Sequence, residues 1–361
     1  MTIPATELRP PADRASSRFP EREFEALLVV SFGGPEGPDD VMPFLENVTR
    51  GRGVPRERLV DVAKHYDLFG GVSPINAQNR ELIAAVEREL VEHAIYLPIY
   101  FGNRNWHPLL ADTLLQMRDE GVRKALAFFT SPFSSYSGCR QYRENIFEAQ
   151  QAVGPDAPEV SKLRLFHNHP RLVEANVDRL RIALAELPEE LRQGAAVAFT
   201  AHSIPSAMAK SCAYEAQLRE TARLVAEAAG VSDFEVVYQS RSGSPQVPWL
   251  EPDVCDHLRS LAARGTRAVV LAPLGFLSDH LEVLYDLDRE AREVSDELGL
   301  VITRAATVGT HPAFVSMIRE LITERLVDGV PRRSLGHLAV GPDVCAPDCC
   351  LPGTGRPSPW E

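Results

Sequence analysis

The stretch AVVLAPLGFLSDHLEVLYDLDREAREVSDELGLVITRAA, residues 268–306, decides the fold. It opens with an apolar run (268–274) and closes with a second run (300–306). An unbroken apolar run bounded by turn signals is the pattern of a strand buried on both faces, not of one that alternates between core and water. The segment between them has helical period. On a helical wheel Leu281, Leu284, Leu287, Ala291, Val294 and Leu298 share one face, while Glu282, Asp286, Glu290 and Glu297 share the opposite one. Strand, helix and strand joined by short links make a crossover unit, which requires the two strands to be parallel.

The pattern repeats along the chain. Strand-like runs recur at 26–32, 94–101, 124–130, 163–169, 195–201 and 234–240. Helical stretches fill most of the gaps, including 73–94, 171–187 and 214–230, and a further one follows at 311–327. Ser73 and Pro74 read as the cap and first position of one of them. Eight strands divide as four and four. The expectation is an α/β protein of two similar Rossmann-like domains, each a four-stranded parallel sheet flanked by helices, with the active-site cleft between them. The boundaries expected are a flexible tail over 1–23, a first domain over 24–157 completed by 311–330, a second over 158–310, and a cysteine-containing tail over 331–361.

Bulk properties narrow the function. Thirty-eight basic against fifty acidic residues leave a net charge of −12, so general affinity for nucleic acid is not expected. No apolar run is long enough to span a bilayer. Residues 1–23 lack the apolar segment of a secretory leader. A cytoplasmic, reducing compartment follows as the expectation, and in it cysteines serve as metal ligands or free thiols rather than disulfides.

In doubly wound folds ligands sit beyond the carboxyl ends of strands. There the sequence places Gly33 and Gly34 after the first strand, Arg104 after the second and His202 in AHSIP after the fifth. Arg50 and Arg52 sit in a glycine-bracketed loop that suits planar anions or simply solvent. The glycine pair lacks both the dinucleotide and the P-loop patterns. Carboxylates at 282, 286 and 290 form either a solvated acidic face or a ladder for a hard cation, and a π-bulge would align them better.

Six motifs, taken together and in order, carry a resemblance. LLVVSFGGPEGPDDVMPFLENV, GGVSPI, YFGNRNWHP, TAHSIP, YQSRSGSPQVPWLEPDV and PLGFLSDHLEVLYDLD resemble the ferrochelatases over residues 26–326. The resemblance implies insertion of Fe(II) into a free-base porphyrin with loss of two pyrrole protons. It implies His202 as proton acceptor, metal carrier or both, and Glu282 as the facing carboxylate. Asp286 and Glu290 then continue as a metal path. Histidine suits proton removal near neutrality, and oxygen ligands on a helix can strip water from the ion stepwise. Phe32 stands where many relatives have Tyr or Met, so that porphyrin face is packed and not coordinated. The resemblance is closest to the bacterial branch that uses coproporphyrin III. That implies Phe32, Arg50, Arg52, His65, Tyr66, Ser73 and Tyr142 around the porphyrin, and a downstream coproheme-processing enzyme as partner. A monomer is the expected state. The alternatives are a protoporphyrin IX ferrochelatase, a cobalt chelatase for a sirohydrochlorin-type ring, and a non-catalytic heme or tetrapyrrole carrier.

Three of six cysteines crowd into GPDVCAPDCC: Cys345, Cys349 and Cys350. Some ferrochelatases bind a 2Fe–2S cluster through three such cysteines and a distant fourth, and Cys139 lies where the family places that fourth. Adjacent thiolates suit two irons better than one tetrahedral zinc. A structural zinc or spare thiols remain the alternatives, and Cys212 and Cys255 are the weaker fourth ligands.

Overall fold

A computed structural model describes residues 23–51, 53–243 and 246–353. Arg52, expected at the porphyrin, lies outside the described residues, as do most of the expected N-terminal tail and residues 354–361. Eight strands form two sheets. The first holds β1 (Ala26–Ser31), β2 (Ile99–Asn103), β3 (Lys124–Phe129) and β4 (Glu159–Lys162) in the order β2-β1-β3-β4. The second holds β5 (Ala196–His202), β6 (Phe234–Gln239), β7 (Ala268–Ala272) and β8 (Val301–Arg304) in the order β6-β5-β7-β8. All pairings between these strands are parallel. The identical order makes the two halves topological repeats. Every residue of β1 and of β7 is buried, as unbroken apolar runs require.

The fourth strand differs from expectation. It occupies Glu159–Lys162 and pairs with β3, so a boundary at 157/158 falls ahead of a strand that belongs to the first sheet. The run 163–169 is apolar for another reason. Leu163 and Phe166 pack beneath the helix Pro312–Leu326, whose Phe314, Ile318 and Leu321 share a core with Leu27 and Phe128. Within that segment Arg164, 2% exposed, pairs with Glu324 through two hydrogen bonds of 2.7 and 3.0 Å. The helix expected from Ser73 starts at Ile75, with Pro74 at the cap position and no side-chain cap.

The long helix of the opening stretch is three pieces. A turn at Leu281–Val283 leads into a π-helical segment, Leu284–Glu290, and then an α-helix, Ala291–Leu298. The wider π turn shifts the buried face. Val283 is fully buried in place of Leu284, and Leu298 is exposed. Among the described residues no helix is long and apolar enough to cross a membrane.

Residues 331–353 contain no helix or strand and run as a strap across both halves. Asn168 and Leu335 pair through their main chains, and the Asn168 amide donates to Leu338 O at 2.9 Å. Lys162 donates to Pro342 O at 2.6 Å. Beyond the cysteines, Ser211 of the second half donates to Leu351 O at 2.6 Å.

Candidate active site

His202 ends β5, and Glu282 lies in the turn after β7, the neighbouring strand. The loop between β7 and Glu282 lies flat on β5: Gly275 donates to Thr200 O at 2.9 Å, and a Cβ there would come within 2.7 Å of Ala201 Cα. This close packing brings the carboxylate to the histidine. His202 Nε2 is 3.6 Å from Glu282 Oε2. His202 Nδ1 is 2.5 Å from Ser203 O. A carbonyl can only accept, so Nδ1 carries the proton and Nε2 presents its lone pair toward the cleft. Tyr214 donates to His202 O at 2.9 Å, fixing the strand end from below.

The acidic row follows on the π-helical segment. Ser240 donates to Asp286 Oδ2, and the Gln239 amide donates to the same oxygen at 3.2 Å. Ser240 has φ of 60°, a conformation that a side chain rarely adopts and that aims this turn at the row. Burial pushes the Asp286 carboxyl up to about 7, and the charges of Glu282 and Glu290 add to it against the two donors. Burial also raises Glu290, with the nearby Asp253 charge second. Glu282 is half exposed at the cleft. Glu297, on the acidic face of the wheel, is exposed beyond the π segment.

Sequence reasoning left His280, Gln239 and Ser240 without roles. His280 Nδ1 lies 3.9 Å from the same Glu282 oxygen, with its ring against Phe276. Their motifs were legible, but a Gln and a Ser at a strand end carry no pattern that marks them.

The first half supplies the opposite wall. Phe32, 37% exposed, follows β1 and packs edge-on to Phe44 at 6.3 Å. Gly33 has φ of +84°, and a Cβ there would meet Asn103 at 2.9 Å, so the chain passes flat over β2. His65 stacks on Tyr285 of the π segment, ring centroids 3.9 Å apart and planes 5° apart, so the halves touch at the cleft edge. Tyr66 is buried beside it, and burial first, then the Glu282 charge, raises its phenol. Arg50 is exposed just beyond the helix Pro38–Val48. Ser73 and Tyr142, expected as porphyrin donors, are each only 4% exposed. Ser73 is packed where a Gly34 Cβ would fall, and Tyr142 lies under the Arg104 guanidinium at 4.6 Å. Both support the wall from behind.

The cysteines gather elsewhere. Cys139 is fully buried in a π-helical turn, Tyr136–Arg140, after β3. The Cys349 and Cys350 sulfurs are 3.3 Å apart, and Cys345 lies beside Cys139 and Cys349, close enough for each thiol to shift its neighbour's titration. Donation from its neighbours holds the Cys345 thiol well below its ordinary range, and Cys139 is correspondingly raised. Arg140, 1% exposed, donates to Pro347 O and to Cys349 O at 2.9 Å. Cys255 packs into the core of the second half, away from this group. Among the described residues no three or more His, Cys, Asp or Glu side chains converge as a ready metal site. The cysteine contacts are sequential pairs.

Residues 24–326 match the Ferrochelatase family. A Coproporphyrin III ferrochelatase of Nocardia farcinica is 54% identical over 340 residues, covering 91% of this chain and 97% of that protein. A protein of Rhodopirellula baltica named Ferrochelatase is also 54% identical, over 92% of this chain and 95% of its own length. A Coproporphyrin III ferrochelatase of Streptomyces coelicolor is 51% identical, covering 93% of this chain and 95% of that protein. Among solved structures, SirB from Bacillus subtilis with Fe3+ superposes with a TM-score of 0.51 at 14% identity, covering 82% of this chain and 94% of that one, which is a likeness of fold. The strand-end histidine, its facing carboxylate, the π-helical acidic row and the family match together place this chain in the ferrochelatase family.

Proposed function

We propose that this chain inserts Fe(II) into coproporphyrin III, giving coproheme. The observation that carries the chemistry is His202 Nε2, its lone pair freed by the bond from Nδ1 to Ser203 O, 3.6 Å from Glu282. Nε2 accepts the two pyrrole protons in turn, giving the first up to solvent at the half-exposed Glu282 before taking the second, and the Glu282 carboxylate stabilises the imidazolium that forms each time. Glu290 and Asp286 pass iron, the metal substrate, inward as oxygen ligands. The choice of coproporphyrin rests on the relatives of Nocardia and Streptomyces that carry this name at 54% and 51% identity. Phe32, Arg50, His65 and Tyr66 border the macrocycle in this reading. Arg50 is the described anion partner for its propionates.

The four clustered thiols fit a 2Fe–2S centre held by Cys139, Cys345, Cys349 and Cys350. The donor set is all sulfur, of the type that holds such a centre. Such a centre would tie the strap to the turn Tyr136–Arg140. The further reading is a cytoplasmic monomer that hands coproheme to a coproheme-processing enzyme.

The test is anaerobic Fe(II) insertion with coproporphyrin III and protoporphyrin IX side by side, followed by loss of free-base fluorescence. Preference for coproporphyrin is expected. Preference for protoporphyrin would overturn the substrate. Tight binding of either ring without insertion would make the protein a carrier.

A further inference from the structure

We infer that Gln239 supplies an oxygen ligand to the divalent metal between His202 and Asp286. Gln239 ends β6 in register with His202 on β5, and residues in register on neighbouring parallel strands project to the same face of a sheet. Its side chain is 1% exposed. Every hydrogen bond its side chain makes leaves from the nitrogen: to Asp286 Oδ2 at 3.2 Å, Glu282 O at 3.4 Å and Ser240 Oγ at 3.4 Å. Of these three acceptors the main-chain carbonyl of Glu282 can only accept, and so can Asp286 whenever it is ionised, which sets the amide with its nitrogen toward them. The oxygen Oε1 is therefore left buried with no partner.

A buried, unpaired carbonyl-type oxygen is costly, and native proteins rarely tolerate it without a reason. Here the reason is at hand. A carboxamide oxygen is a neutral, hard donor of the type that holds divalent cations. It sits on the strand next to the proton-accepting histidine and is tethered to the inner carboxylate of the acidic row. A cation passing from Asp286 to His202 would find in Oε1 a buried oxygen with no hydrogen bond to give up. Neutrality also matters. A fourth carboxylate beside Glu282, Asp286 and Glu290 would hold the ion more tightly and slow its release into the ring. This inference rests on reading the acidic row as the iron path.

The test uses the full-length protein without porphyrin, titrated with Co2+ as an oxygen-tolerant stand-in for Fe(II) and followed by calorimetry. Insertion kinetics then give separate KM values for Fe(II) and porphyrin. Gln239→Leu should weaken Co2+ and raise the KM for Fe(II) by about tenfold, with the porphyrin KM unchanged. Gln239→Glu, which keeps oxygen at the same reach, should bind Co2+ at least as tightly as the native chain. Should the leucine variant fail to fold, Gln239→Met matches its length without branching. Unchanged Co2+ affinity in the apolar variant, or equal weakening in the leucine and glutamate variants, would overturn the oxygen-ligand role. Asp286→Asn serves as the control. If it too leaves Co2+ affinity unchanged, the iron path itself is at fault.

Discussion

Replacing Asp286 by Asn should stabilise the protein, and by an amount that grows with pH. In the folded chain its carboxyl is pushed up to about 7 from an ordinary 3.8, first by burial and then by Glu282 and Glu290. Because the folded value is the higher one, the folded state holds a proton that the unfolded state has lost between those two pH values. Stability is therefore full below about 4, falls as pH rises, and levels off above about 7. The gap between 3.8 and about 7, at about 1.4 kcal/mol per pH unit, sets a ceiling of about 4 kcal/mol. Asparagine mimics the neutral form and can still accept from Ser240. Its advantage over the native residue should be about 2–3 kcal/mol larger at pH 8 than at pH 5. Guanidinium unfolding of both proteins at the two pH values measures this directly, and other titrating groups cancel in the comparison. An advantage that does not change with pH, or a loss at both, would refute the claim that Asp286 holds an unfavourable buried charge. Iron insertion should fall in the same variant, because the charge that costs stability is the one that draws the metal in.

His202→Ala should abolish insertion while leaving porphyrin binding, measured by fluorescence quenching, within about threefold. Retained turnover would remove Nε2 from the proton-transfer role. Cys349→Ser should give colourless protein when purified without oxygen, whereas a persistent brown chromophore would show that this sulfur is not needed to hold a cluster. Arg164→Leu should cost about 3–5 kcal/mol in denaturant unfolding, because it leaves Glu324 buried without its partner. A loss below about 1 kcal/mol would mean that water reaches that carboxylate.

The parallel strands were legible because burial on both faces writes a continuous apolar run, as in β1. β4 was not, since only Lys162 of its four residues is buried and its sequence shows no apolar run. The apolar run just beyond it answers to the helix Pro312–Leu326, a partner far along the chain. Local pattern cannot register such a contact. Periodicity found the acidic row but misplaced the buried face around Leu284, because a wheel at one fixed angle cannot anticipate a π turn. His202 and Glu282 stand out through their motifs, whereas Gln239 matters through the atom it leaves unpaired, which only coordinates reveal. Ser73 and Tyr142 show the converse. Residue type suggested donors, and packing turned both inward.

The interleaving of the first half has a consequence for how the chain is made. Its sheet is complete once β4 emerges, but the helix that covers one face of it, Pro312–Leu326, comes only after the whole second sheet. Arg140 waits longer still, for carbonyls 207 and 209 residues further along. At about 5–20 residues per second, the ribosome leaves that apolar face uncovered for on the order of ten to thirty seconds. During this interval the second sheet can fold as a unit, but the first cannot. The nascent chain is thus a natural client for chaperones that shield apolar surface, and slowing translation between β4 and the late helix should lower soluble yield without altering a single contact of the finished protein.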